Sequence, residues 1–193
     1  MSDKLENLGF KVEQLLNSKY TEMHDTFENI SRDLSSEDVF LLYFSGHGYM
    51  SEGKNYLIPG QCEHKSNHVC LEGMIKRLGQ RNGGKNIFIL DCCRVDPTDD
   101  TYKGDVSYQS EIKSLDFPIE KKAEFFFMFA SDPGQVAYEN STFGGYYTLA
   151  LLQYINQGEE IYHAAVKTGQ SVKLSKPNQR TWVQSSFRSL WHF

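Results

Sequence analysis

The sequence predicts an α/β fold with a mainly parallel sheet. Two continuous apolar runs, Val39 to Ser45 (VFLLYFS) and Asn86 to Asp91 (NIFILD), have the composition of strands buried on both faces. Segments with apolar residues at helical spacing lie between such runs, and strands that alternate with helices build parallel sheets through right-handed crossovers.

In chain order, Phe10 to Leu16 (FKVEQLL) alternates as a strand does, and Met23, Phe27, Ile30 and Leu34 then recur at the spacing of an amphipathic helix. VFLLYFS follows and stops at Gly46-His47-Gly48. A shorter strand over Asn55 to Pro59 precedes a polar loop. Leu71, Met74, Ile75 and Leu78 mark a second helix that closes in Gly79, and Gly83-Gly84 breaks the chain before NIFILD. Val95 to Lys122 is polar, charged and without period, the pattern of a functional or flexible loop. Order resumes in Glu124 to Ala130 (EFFFMFA), then a turn at Pro133-Gly134. Phe143, Tyr147, Leu151 and Tyr154 share one helical face, and a last helix runs from Ile161 to about Leu174 with Ala165, Thr168 and Val172 inward.

The 193 residues, 39% hydrophobic, suffice for one globular domain spanning 1–193. A net charge of −5 and a pI near 5.7 argue against nucleic acid or an anionic membrane as partner. No targeting segment or apolar run of about 20 residues is visible, which leads us to expect a soluble protein. Four cysteines, at 62, 70, 92 and 93, are too few for a disulfide framework and fit a reducing cytoplasmic setting.

Ligands in open α/β sheets collect beyond the carboxyl ends of the strands. VFLLYFS ends in Gly46-His47-Gly48 and NIFILD ends in Cys92-Cys93. If these strands are neighbours, an imidazole and a thiol meet at the sheet rim, the pairing that activates a cysteine nucleophile. Either residue alone would more often be structural.

Tyr-Phe-Ser-Gly-His-Gly-Tyr and Ile-Leu-Asp-Cys-Cys-Arg resemble the two catalytic motifs of the caspase-like clan, and their separation agrees with the roughly 50 residues found in caspases. Asp91, where caspases carry glutamine, makes the sequence similar to paracaspases and metacaspases. Phe-Ala-Ser-Asp-Pro-Gly-Gln-Val-Ala-Tyr-Glu and Gly-Gly-Tyr-Tyr-Thr-Leu-Ala-Leu-Leu resemble the strand, pocket wall and following helix of paracaspases. The resemblance runs in order from about Gly9 to Ser186. It implies a caspase-like sheet with helices on both faces, here lacking the family's first strand.

Matched residue by residue, the resemblance implies a cysteine endopeptidase with His47 and Cys93 as catalytic pair. It implies the Gly48 and Cys93 N–H groups as oxyanion hole, and Asp91 and Glu139 as the carboxylates of the specificity pocket. Two carboxylates favour arginine, then lysine, before the scissile bond. The implied partners are protein or peptide substrates with such a residue, in a signalling or cell-death pathway, and a homodimer is possible. No cofactor is needed. A caspase-like scaffold acting through dimerisation is the second reading. A calcium-dependent metacaspase using Asp96, Asp99, Asp100 and Asp105 is the third. Val95 to Lys122, with Lys103, Lys113, Lys121 and Lys122, is the expected site of self-cleavage. Cys62, His64, His68 and Cys70 crowd together but lack the spacing of a structural zinc site, so no metal is expected.

Overall fold

The computed structural model describes residues 1–62, 64–81, 84–95, 123–140 and 144–193. Helices α1 (Ser2–Asn7) and α2 (Tyr20–Asp33) precede strand β1 (Val39–Ser45), and a small antiparallel unit follows: β2 (Gly48–Ser51), β3 (Lys54–Leu57) and β4 (Val69–Cys70). Helix α3 (Leu71–Arg81) leads to β5 (Lys85–Asp91), and β6 (Glu124–Phe129) comes next among the described residues. The pair β7 (Glu139–Asn140) and β8 (Gly144–Gly145) runs into α4 (Tyr146–Tyr154), then α5 (Ile161–Ser175) and β9 (Trp182–Ser185). The proposed self-cleavage lysines, the calcium-reading aspartates and Phe143 lie outside the described residues.

The main sheet has the order β1-β5-β6-β9, with β1, β5 and β6 parallel and β9 antiparallel. Period-two alternation divides its side chains between two cores. Phe88, Leu90, Phe125, Phe127 and Phe129 point to the layer that holds Phe27 of α2 and Leu71, Met74, Ile75 and Leu78 of α3. Ile87, Ile89, Phe126 and Met128 face Tyr147 and Leu151 of α4 and Ile161, Ala165 and Val172 of α5. Helices therefore cover both faces, as the resemblance implies. Within the first layer the rings form a chain: Phe27 lies 6.0 Å from Phe40, Phe40 5.9 Å from Phe88, and Phe88 4.9 Å from Phe127, at separations where aromatic pairs attract beyond area burial.

Three expectations are corrected. VFLLYFS is a strand with the predicted bounds, yet of its residues only Phe40 is buried and Ser45 is exposed. The reason is position: β1 is a terminal strand of this sheet and has a hydrogen-bonded neighbour on one side only. Phe10 to Leu16 is not a strand, despite its alternation. Leu8 and Phe10 pack on the α4/α5 face while Tyr20 and Met23 pack on the α2/α3 face, so the intervening residues must leave one face of the sheet for the other. That path leaves Leu15 and Leu16 exposed. Helix α3 also runs two residues beyond Gly79, which is buried inside it.

The β2–β3 hairpin turns on Glu52 and Gly53, both at positive φ (50° and 75°). Such a two-residue turn matches the twist of paired strands, and glycine carries the left-handed geometry without strain.

Phe88, fully buried and in ring contact with both Phe40 and Phe127, should be among the costliest core positions. Phe88→Ala is expected to lower unfolding stability by about 3–5 kcal/mol, measured by urea denaturation; a loss below about 1 kcal/mol would contradict this packing.

Candidate active site

The parallel register of β1 on β5 ends at the pair Ser45↔Asp91. His47 and Cys93 each lie two residues beyond that pair, so two parallel strands deliver them to the same rim of the sheet. The Gly46 N–H donates to Asp91 O (3.2 Å), joining the two exits beyond the last register pair. His47 is exposed and Cys93 is half-buried. No hydrogen bond joins them among the described residues; the Cys93 thiol donates to Ala137 O at 3.6 Å. Catalytic hydrogen bonds commonly tighten only when substrate is bound.

Two main-chain N–H groups beside these residues have no acceptor among the described residues. In the β2–β3 ladder Ile58 N donates to His47 O (2.9 Å), which makes Gly48↔Leu57 a pair that exchanges no hydrogen bonds. The Gly48 N–H therefore points away from β3. The Cys93 N–H likewise meets no acceptor among the described residues. A Cβ at position 48 would stand 2.8 Å from the Cys92 sulfur, so glycine is what lets this loop lie against the cysteine loop.

The alternation in, out, in along Cys92-Cys93-Arg94 decides which thiol can react. Cys92 is 4% exposed, and burial, then the Asp91 charge, push its thiol up to about 12. Only Cys93 remains accessible. Arg94 turns inward to 2% exposure: its Nε donates to Asn55 Oδ1 (2.9 Å) and its guanidinium lies 4.0 Å from the Phe129 ring centroid. Asn55 in turn donates through its Nδ2 and its backbone N to Glu72, at the start of α3. On the opposite side Arg94 N donates to Gln135 O (2.9 Å) and Arg94 O accepts from Gly134 N (3.0 Å). Burial draws the Arg94 guanidinium down to about 10, and its Nη1 is buried without a hydrogen-bond partner. The loop bearing Cys93 is thus pinned between β3 and the Pro133–Gln135 turn.

Asp91 is 6% exposed. Its Oδ2 accepts from the Thr148 backbone N (3.2 Å) and from Thr148 Oγ1 (2.5 Å). Gly145, at the N-cap position just before α4, has no side chain to cap the helix, so a carboxylate from β5 accepts from the N–H of Thr148 in its first turn instead. A Cβ at 145 would fall 2.2 Å from Asp91 Oδ2, so the carboxylate occupies the space that glycine leaves. Burial raises the Asp91 carboxyl above its ordinary range, the Thr148 hydrogen bonds oppose this, and the Glu139 charge adds to it. Glu139 itself is exposed and pairs with Gly145 across β7 and β8. Behind this wall, buried Gln179 accepts from Tyr138 N (3.1 Å) and donates to Ala130 O (2.9 Å).

Sequence reasoning did not single out Tyr43, Thr148, Arg94, Asn55 or Gln179. The one available signal was a charged Arg94 directly after the thiols; the others are ordinary polar residues until the tertiary structure assembles them. Among the described residues, no three His, Cys, Asp or Glu side chains gather as metal ligands. Cys62 donates to His64 O, His68 bonds the Tyr49 hydroxyl, and Cys70 lies at the end of β4 with its thiol toward Glu72. No helix among the described residues is long and apolar enough to cross a membrane.

A family model described as "Caspase domain" matches residues 1–190. Mucosa-associated lymphoid tissue lymphoma translocation protein 1 of Homo sapiens is 30% identical over 97 residues, which is 49% of this chain and 12% of that protein. The Mus musculus homolog matches with the same identity and coverage. The chain therefore aligns with about an eighth of the length of these curated relatives. Among solved structures, caspase-1 from Spodoptera frugiperda superposes with a TM-score of 0.70 at 20% identity, over 99% of this chain and 77% of that one, and so shares the fold.

In the folded protein at pH 8, iodoacetamide should modify Cys93 at least roughly tenfold faster than Cys92, because the thiolate is the reactive form and Cys92 is both buried and protonated. Because Cys62 and Cys70 are also free and partly exposed, the time courses are run on Cys92→Ala and Cys93→Ala in a Cys62→Ser, Cys70→Ser background, where intact mass reports one thiol at a time. Equal rates would mean that the alternation is wrong.

Proposed function

The chain belongs to the caspase-domain family of cysteine peptidases, similar to paracaspases, and from that membership we propose an endopeptidase that cuts after arginine, and second after lysine. The observation that carries this reading is the shared offset of His47 and Cys93 beyond the register pair Ser45↔Asp91, with Cys92 turned into the core.

In this reading His47 takes the proton from Cys93, and the thiolate attacks the scissile carbonyl carbon. The oxygen that gains charge is received by the Gly48 and Cys93 N–H groups, both without an acceptor among the described residues. The tetrahedral adduct collapses to a thioester as the C–N bond breaks, and His47 protonates the leaving amine. Water, deprotonated by the same imidazole, then hydrolyses the thioester and restores the thiol.

Basic specificity rests on Asp91 and Glu139. They are close enough for the Glu139 charge to raise the Asp91 carboxyl, a juxtaposition that a bound cation would relieve. The two are unequal: Asp91 is buried, where an ion pair is strong, whereas Glu139 is exposed and screened. The natural substrates belong to a signalling or cell-death pathway in this reading.

A dimerisation scaffold without turnover is the second reading, favoured by one observation: the Cys93 thiol is bonded to Ala137 O instead of His47. Turnover separates the two.

On a fluorogenic peptide with arginine before the cleaved bond, Cys93→Ala should abolish hydrolysis while Cys92→Ala keeps most of it. Persistence in the first variant would remove Cys93 as nucleophile; a complete lack of turnover in the wild type would favour the scaffold.

Asp91→Asn should lower kcat/KM for the arginine peptide by roughly thirtyfold to several-thousandfold, the range for losing one partner of a buried ion pair. Glu139→Gln should cost less than about fivefold, as for an exposed pair. Peptides with Arg, Lys or Asp at that position give the comparison. Best cleavage after Asp would overturn the charge argument.

A further inference from the structure

The Asp91 carboxylate does not stand alone. Its Oδ2 accepts the Thr148 hydroxyl at 2.5 Å and the Thr148 N–H at 3.2 Å, and the Tyr43 hydroxyl lies 2.7 Å from Thr148 Oγ1. The direction of this chain follows from valence. A carboxylate can only accept, so the single Thr148 hydroxyl proton points at Asp91. The Tyr43–Thr148 bond must then be donated by Tyr43. Three groups from three elements, β1, α4 and the end of β5, form one ordered series of donors that terminates on Asp91.

Only one carboxylate oxygen is consumed. No hydrogen bond engages Asp91 Oδ1 among the described residues, and although Asp91 is buried this atom is not among the fully enclosed polar atoms without a partner. Oδ2 is tied to the protein, and Oδ1 is the carboxylate oxygen without a hydrogen bond among the described residues. The packed backbone of Gly145, where any side chain would collide with the carboxylate, closes the remaining side.

We propose that Tyr43 and Thr148 are specificity-positioning residues, a donor relay that holds the Asp91 carboxylate with Oδ1 presented to the basic side chain of the substrate. This rests on the reading above that Asp91 lines the specificity pocket, and it deepens that reading by assigning what keeps an anion there.

The charged and titratable groups around Asp91 define what the relay does. Tyr43 faces it from β1, Tyr147 and Thr148 from α4, Glu139 from β7, and Cys92 from its own loop. None of these is a cation. Burial and Glu139 both favour the protonated carboxyl, and the Thr148 hydrogen bonds are what oppose them. Tyr43 contributes through Thr148: its donated proton polarises the Thr148 O–H toward Asp91. Tyr43 is itself buried enough that its phenol is held above its ordinary range, so it remains a donor throughout the working pH range. Without the relay Asp91 takes up its proton at higher pH, and a protonated Asp91 does not pair with a guanidinium.

The experiment is the pH dependence of kcat/KM for an arginine peptide and for a matched peptide with neutral citrulline in its place. It is run on wild type, Thr148→Val, Thr148→Ser, Tyr43→Phe and Asp91→Asn. Losing a hydrogen bond to a charged group should move the acid limb of the arginine profile upward by about one pH unit in Thr148→Val. At a pH below that limb this amounts to about a tenfold loss. Tyr43→Phe should shift in the same direction by less, and Thr148→Ser, which keeps the hydroxyl, should follow wild type. The citrulline profile should not acquire the shift. Thermal melts identify a variant that has lost its fold; if Thr148→Val is one, Tyr43→Phe carries the test alone. If Asp91→Asn leaves the arginine preference intact, the pocket assignment itself fails. If Asp91→Asn destroys that preference while Thr148→Val and Tyr43→Phe superimpose on wild type, or fall equally at every pH, the relay fails and the pocket assignment stands.

Discussion

Parallel pairing of β1 with β5 is the constraint on which the site depends. Parallel strands in register advance together, so their carboxyl ends reach the same rim of the sheet. Ser45↔Asp91 is the last pair, and the offset of two brings His47 and Cys93 to one rim. A slip of one residue in this register would also invert every side chain of β1 relative to the two cores. The aromatic chain from Phe27 through Phe40 and Phe88 to Phe127 holds that register from the α2/α3 face. The geometry of the reactive groups is in this sense a consequence of core packing.

Beyond the strands, alternation continues through the cysteine loop and does chemical work. Cys92 inward, Cys93 outward and Arg94 inward means that two neighbouring thiols, identical in composition, meet opposite environments. The inward Arg94 is an expensive residue to bury; its side chain donates to Asn55 and lies over the Phe129 ring, while the Asp132 and Glu72 charges favour its charged form. Its main-chain bonds to Gly134 and Gln135 on one side, and its side-chain bond to Asn55, itself held by Glu72, on the other, clamp the loop on two sides. Buried polar connections of this kind fix one conformation more than they add stability.

The acidic residues behave differently from one another for the same reason of environment. Asp91 caps α4, fills the space beside Gly145 and has one oxygen without a hydrogen bond among the described residues, so it belongs at once to the architecture and to the proposed pocket. Glu139 sits in solvent on a two-residue strand pair. Two carboxylates that read as equivalent in the sequence thus stand in different settings, one buried and hydrogen-bonded, the other in solvent.

Much of this was legible in the residues alone. VFLLYFS, NIFILD and EFFFMF are strands within a residue of their expected bounds, and the spacings of Met23, Leu71 and Ile161 and the apolar residues that follow each of them mark α2, α3 and α5, because apolar periodicity is a local property. The motifs around His47 and Cys93 likewise announced a caspase-like peptidase. What the residues could not convey was partnership. FKVEQLL alternates like a strand but crosses between the faces of the sheet, and VFLLYFS has the composition of an interior strand but sits at an end of this one. Tyr43, Thr148 and Gly145 gain their meaning only through Asp91, and Arg94 only through Asn55 and Phe129. Those contacts join positions far apart in the chain, and whether a hydroxyl or a guanidinium is structural, positioning or idle depends on what the fold sets within about 3 Å of it.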